Sequence, residues 1–239
     1  MPVASIPKPR EFAERRTSES DETDLAAALD SLALVREPAP PSPRFLLVLD
    51  VNGLLCDRRR APVPGLKADL TYGSSSLKSY IYDRPHAADF LRWVMQRFRV
   101  GVWSSARSHN LEPLVTHVFG NDLRRHLRFL WDQGKCTSEG STAARGSSAT
   151  KPKFFKELRL LHSAGHGTLR TMLLVDDDSY KAERNPPHTA VHPRAYEVNQ
   201  KERDDGLGAQ SALRRYLDDL CKTSLESVPE YVQAHAFKD

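Results

Sequence analysis

Apolar residues in this chain gather into short runs separated by polar, turn-rich stretches. Phe45–Leu49 is an unbroken apolar run of strand length that ends on Asp50. Arg99–Trp103, residues 128–131 and Thr171–Val175 read as three more strands, with Thr189–Val191 a short fifth. Helical spacing fills the intervals. Arg84-Pro85 opens a helix to about Arg97, with Phe90, Leu91, Val94 and Phe98 on one face. Another helix lies near 110–119. Pro152 opens a third, with Phe154, Leu158 and Leu161 at i, i+4, i+7. Leu213, Tyr216, Leu217 and Leu220 mark a terminal helix.

Strands alternating with helices predict an α/β domain built on a mostly parallel sheet with helices on both faces. Ligands in such folds sit outside the carboxyl ends of the strands. Residues 57–83, with Pro62, Pro64, Gly65, Gly73 and a serine run, read as a loop or small flap with one hairpin, and leave no room for a large cap. Residues 137–150 are small and polar and read as a mobile loop. The domain is expected over 44–222, after a low-order tail at 1–43 and before an extension at 223–239. Within the tail, Leu25, Leu29 and Leu32 fall at helical spacing, and such an isolated segment is marginal as a helix.

The chain has 239 residues, enough for one such domain and its tails. No apolar stretch approaches the ~20 residues of a membrane helix. The net charge of +4 is spread out, a weak pointer to acidic or phosphorylated partners and not to direct nucleic-acid binding. Three widely spaced cysteines, Cys56, Cys136 and Cys221, suit a reducing compartment and form no zinc or disulfide pattern. The start of the chain is a poor presequence because it carries Glu11 and Glu14 among its basic residues. A nuclear or cytoplasmic location is expected, with a mitochondrial one as the alternative.

Chemistry gathers at the strand ends. Asp50 follows the first strand, Ser104 and Ser105 the second, and Asp176, Asp177 and Asp178 the fourth, while Lys156 precedes that fourth strand within the helix expected from Pro152. Phosphoryl transfer needs a carboxylate nucleophile and oxygen ligands for a hard cation such as Mg²⁺. It also needs a hydroxyl and an ammonium for the phosphoryl oxygens.

The phrases LLVLDVNGLL, DRPHAADFLRWV, VGVWSSA, FFKELRLL, LLVDDDSYKA and NPPHTAV carry a resemblance from about Phe45 to Val191. This stretch resembles the catalytic domain of the small C-terminal-domain phosphatases, the NLI-interacting-factor-like family of the haloacid-dehalogenase superfamily, and especially a plant-type branch. The resemblance implies a haloacid-dehalogenase-like, Rossmannoid fold and Mg²⁺-dependent dephosphorylation of phosphoproteins through an aspartyl-phosphate. It places Asp50 as nucleophile, Ser104 (or Ser105) and Lys156 (or Lys153) on phosphate, and Asp50, the Asn52 main-chain carbonyl, Asp176 and Asp177 on the metal.

Three places depart from the pattern: Leu54 stands for a Thr or Val, Asp178-Ser179 for Ser-Pro, and the third bears on the proton chemistry. The family reads D-x-D, and Asn52 stands where the acid/base aspartate belongs. An amide neither donates nor accepts the required proton, so the resemblance implies a phosphatase domain of impaired activity. The alternative is a non-catalytic protein-binding domain akin to the receptor subunit of the mitochondrial inner-membrane presequence translocase. Asp178 reads as a surface carboxylate, His109, His188 and His192 as loop or core residues, and Arg84 as a helix-entry and pairing residue.

Overall fold

The computed structural model describes residues 44–74, 77–140 and 152–239. The tail expected at 1–43, its leucine-spaced segment and most of the loop expected at 137–150 lie outside these residues.

Ten strands and five α-helices are described. Five strands form one parallel sheet: β1 (Leu46–Leu49), β5 (Arg99–Trp103), β6 (Leu130–Trp131), β9 (Met172–Val175) and β10 (Ala190–Val191), in the order β10-β9-β1-β5-β6. The central strand β1 is apolar throughout because both of its faces are covered. Leu47 and Leu49 enter one buried cluster, and Leu46 and Val48 enter the other. Residues that alternate along a strand point to opposite faces, so a strand buried on both sides needs a continuous apolar run.

The larger cluster is covered by α1 (Ala87–Arg97), α2 (Ser108–Arg124), α4 (Ala212–Lys222) and α5 (Val228–Ala234). The short α3 (Leu158–Ser163) packs Leu158 and Leu161 on the opposite face, against Trp103 and Phe129. Helices therefore lie on both faces, as the alternating pattern predicts.

Several elements differ from the sequence reading. Residues 56–83 hold three strands rather than one hairpin. They are β2 (Cys56–Arg59), β3 (Leu70–Tyr72) and β4 (Ser79–Asp83), antiparallel in the order β2-β4-β3. This flap leans on α2, where the Tyr72 hydroxyl donates to the carbonyl of Asn110 at 2.8 Å. The loop expected at 137–150 begins with a strand, β7 (Thr137–Glu139), which pairs with β8 (Lys153–Phe155). Pro152 therefore opens a strand, not a helix. Helix α3 starts only at Leu158, so Phe154 is not on its inner face and Lys156 is not helical. Pairing between segments distant in the chain overrides the local i, i+4, i+7 spacing. Helix α2 extends beyond the expected 110–119 and is broken at Gly120, where φ is 65°. Residues 223–239 are more than an extension, because Val228, Tyr231 and Val232 of α5 join the larger core cluster.

Candidate active site

Three parallel strands end side by side and carry the chemistry with them. The register that sets Leu49 beside Val102 and Val175 delivers Asp50, Ser104 and Asp176 to one edge of the sheet. The main chain holds all three there. Asp50 N donates to Val175 O at 3.0 Å, Ser104 N to Trp131 O at 2.8 Å and Asp176 N to Val191 O at 3.2 Å.

Asp50 is buried and gripped from two sides. Lys156 Nζ lies 3.1 Å from its Oδ1 and Lys181 Nζ 2.7 Å from its Oδ2, while Val51 N donates to Oδ1 at 2.8 Å. The same ammonium groups reach Asp176, Lys156 at 2.5 Å and Lys181 at 2.9 Å. Two buried carboxylates and two buried ammonium groups thus form a closed ring of ion pairs, three of whose four links are also charge-assisted hydrogen bonds. Burial alone would raise the Asp50 carboxyl, but the two lysines outweigh it and hold its pKa down to about 2. Burial and the neighbouring Asp50 charge raise Asp176, against the pull of both lysines. Burial works against the Lys181 charge, yet the surrounding carboxylates keep it well above the ordinary lysine range.

Lys156 is fully buried and sits on an extended link between β8 and α3. Its N–H donates to Lys181 O at 2.8 Å, and its carbonyl accepts from Asn185 Nδ2 at 2.8 Å. Asn185 Oδ1 also accepts from Leu158 N at 2.7 Å. The alternative, Lys153, is an exposed β8 residue whose Nζ lies 5.8 Å from the Tyr180 ring centroid. Of the two serines, Ser104 is buried, and its Oγ accepts from Ala106 N at 3.2 Å. Ser105 is only partly covered.

Asn52 is exposed, and its side-chain oxygen accepts from Arg58 N at 2.8 Å. It lines the same cleft of about 970 Å³ as Asp50, Ser104, Asp177 and Lys181. Gly53 follows with φ 87°, and a Cβ there would lie 2.3 Å from Asp177 Oδ2, so the turn and the carboxylate both require glycine.

Carboxylate oxygens of Asp50, Asp176 and Asp177 lie within 4.8 Å of one another. An all-oxygen donor set suits a hard divalent cation. Asp177 Oδ1 is also buried without a hydrogen-bond partner, the one carboxylate oxygen in that state among the described residues. Two of the three carboxylates, however, already share the Lys181 ammonium.

Burial, then the negative charge of Asp50, pushes the Asp177 carboxyl up to about 7. A raised carboxyl contributes stability below its unfolded pKa, and that contribution is lost as pH rises through the folded value. Asp177→Asn should therefore gain more stability relative to the parent protein at pH 8 than at pH 5, because the loss runs from the unfolded value of 3.8 up to about 7. Melting temperatures of both proteins at the two pH values check this, and an equal difference at both would contradict it.

Residues 45–228 match the family model described as NLI interacting factor-like phosphatase. The chain belongs to that family. A search of curated proteins gave no match. Among solved structures, the chain is similar to Fcp1, described as an essential RNA polymerase II CTD phosphatase. The identity is 16% and the TM-score 0.48, over 85% of this chain and 60% of that one. It is also similar to fission yeast Fcp1 bound to beryllium fluoride, at 16% identity and TM-score 0.47, over 89% and 66%. A third likeness is to a Vibrio cholerae protein assigned as a 3-deoxy-D-manno-octulosonate 8-phosphate phosphatase. It has 10% identity and TM-score 0.36, over 81% and 86%. The chain spans 60% of the first of these structures.

Of the site residues expected from sequence in this family member, Asp50, Lys156, Asp176 and Asp177 come together, with Ser104 and Asn52 on the same cleft. Lys181 was not expected. Its only sequence signal is a lysine five residues after Asp176, on the single-turn helix Ser179–Ala182. Asp178, expected as a plain surface carboxylate, pairs with that lysine at 3.1 Å. His192 is near the site through the main chain alone, with Nδ1 2.8 Å from Asp176 O. Arg84 forks onto Asp204 at 2.8 and 3.0 Å just ahead of α1. Cys56 is buried, and burial with nearby Asp83 holds its thiol well above its ordinary value, which does not suit a nucleophile. Among the described residues, no helix is long and apolar enough to cross a membrane.

Proposed function

We propose that this chain is a phosphatase-type domain that binds phosphorylated protein segments and forms an aspartyl-phosphate on Asp50, with turnover impaired by Asn52. The observation that carries this reading is the placement of an ionised Asp50 beside the Lys156 ammonium, on a cleft that Ser104 also lines. Arg58, Arg60, Arg107 and Lys153 line the same cleft, which favours an anionic segment.

In the first step, an Asp50 oxygen forms a bond to phosphorus while the phosphorus–ester oxygen bond breaks. The departing oxygen must gain a proton. In the second step, water attacks the acyl phosphate, releases the Asp50 carboxylate and gives up a proton. Ser104 and Lys156 serve as donors to the phosphoryl oxygens in both steps. A magnesium ion, were it bound, would draw on Asp50, the Asn52 main-chain carbonyl, Asp176 and Asp177 and supply positive charge opposite the phosphoryl oxygens, but Asp50 and Asp176 are already bridged by the Lys181 ammonium. The proton transfers lack an agent, because the Asn52 amide does neither job. The second step should therefore lag, and phosphorylated Asp50 should accumulate.

Incubation with a small phosphodonor followed by intact-mass analysis tests the reading. One phosphoryl group is expected on the parent protein and none on Asp50→Asn. Absence of both the adduct and any hydrolysis would reject aspartyl-phosphate chemistry for this chain.

A further inference from the structure

We infer that the Lys181 ammonium takes the part of a divalent cation between Asp50 and Asp176, so that this site binds phosphate without metal. The inference rests on the phosphate site proposed above and concerns what supplies its positive charge.

The first ground is position. Lys181 Nζ touches Asp50 Oδ2 at 2.7 Å and Asp176 Oδ1 at 2.9 Å, so it bridges two of the three carboxylates that a metal would need. The second is saturation. Two of the three ammonium donors are taken by Asp50 and Asp176, and Asp178 Oδ2 lies 3.1 Å away as a further ion-pair partner. The third is anchorage. Lys181 is buried, its N–H donates to Asp178 O at 3.1 Å, and its carbonyl accepts from Lys156 N at 2.8 Å. A metal entering between Asp50 and Asp176 would have to break the two charge-assisted hydrogen bonds that Lys181 makes to them and displace a side chain whose own backbone is pinned. The fourth ground is charge. Asp50 and Asp176 are matched one for one by Lys156 and Lys181, so the ring is neutral before any ion arrives.

Two consequences separate this arrangement from a metal-dependent one. Phosphate affinity should not depend on a divalent ion. Mg²⁺ should bind the parent protein poorly and should bind better once the ammonium is gone.

Isothermal titration of the full 239-residue chain with inorganic phosphate, in chelator and in millimolar Mg²⁺, provides the test. The dissociation constant should be the same in both conditions. Lys181→Met keeps the bulk of the stem and removes the charge. With that charge gone, Asp50 and Asp176 are left with one ammonium between them and repel an incoming anion, so phosphate binding in chelator should weaken by about 10–100-fold, and Mg²⁺ should restore much of that loss. A direct Mg²⁺ titration should give heat with Lys181→Met and none with the parent protein. Phosphate binding to the parent protein only when Mg²⁺ is present would overturn the inference while leaving the phosphate site intact. No phosphate binding under either condition would remove the phosphate site itself, and the inference with it. Both of these outcomes are read on the parent protein, so the test stands if Lys181→Met fails to fold.

Discussion

Asn52→Asp should raise hydrolysis of phosphate monoesters by about 10²–10⁴-fold, the usual worth of a positioned general acid–base group. The substitution exchanges one amide nitrogen for an oxygen. The existing hydrogen bond from Arg58 N to the side-chain oxygen survives, because a carboxylate accepts it equally well. The second oxygen then takes up the cleft-side role of proton donor and acceptor. The gain should be larger for alkyl phosphates than for aryl phosphates. An alkoxide leaves badly without a proton, whereas a phenolate leaves on its own with less help. Initial rates for phosphoserine peptides and an aryl phosphate, compared among the parent protein, Asn52→Asp and Asp50→Asn, check the whole set. Asp50→Asn should show no activity on either substrate. If Asn52→Asp folds and remains inactive, the cleft serves binding alone, as in the non-catalytic alternative.

Lys156→Ala should destabilise the fold by about 3–5 kcal/mol, the penalty typical of breaking a buried ion pair by removing one partner. Lys156 is fully buried, so solvent gives no relief to the two carboxylates it leaves behind, and Lys181 alone then faces both. Urea midpoints at an unchanged slope measure the effect. By contrast, Arg170→Ala breaks an exposed pair with Glu230 and should cost only about 0–1 kcal/mol. The ring also sets the response to acid. Asp50 has a lowered folded pKa of about 2, so its contribution is present above the unfolded value of 3.8 and is lost as pH falls toward 2. A Lys156→Ala protein as stable as its parent at neutral pH would show that the ring is not a structural charge cluster.

Parts of this molecule can be read from sequence because their causes are local. A strand buried on both faces must be apolar at every position, so Phe45–Leu49 announced a strand and put Asp50 at its end. The same logic found Thr171–Val175 and Asp176. The misreadings share another cause. Phe154, Leu158 and Leu161 fit a helical spacing, yet Lys153–Phe155 is a strand because Thr137–Glu139 pairs with it, and no local pattern reports a partner. Lys181 is the extreme case, since its contact with Asp50 spans 131 positions along the chain. A lysine on a short polar turn carries no mark of burial. Its role exists only once β1 and β9 lie side by side.

The hydrogen bond from Lys156 N to Lys181 O has a consequence of its own. The residues that carry the two cations are joined by a main-chain strut, and Asn185 braces one end of it. The pitch between the positive charges is therefore written largely in the backbone, like the spacing of teeth on a comb. Changing either side chain alters what one tooth carries while the comb keeps its gauge.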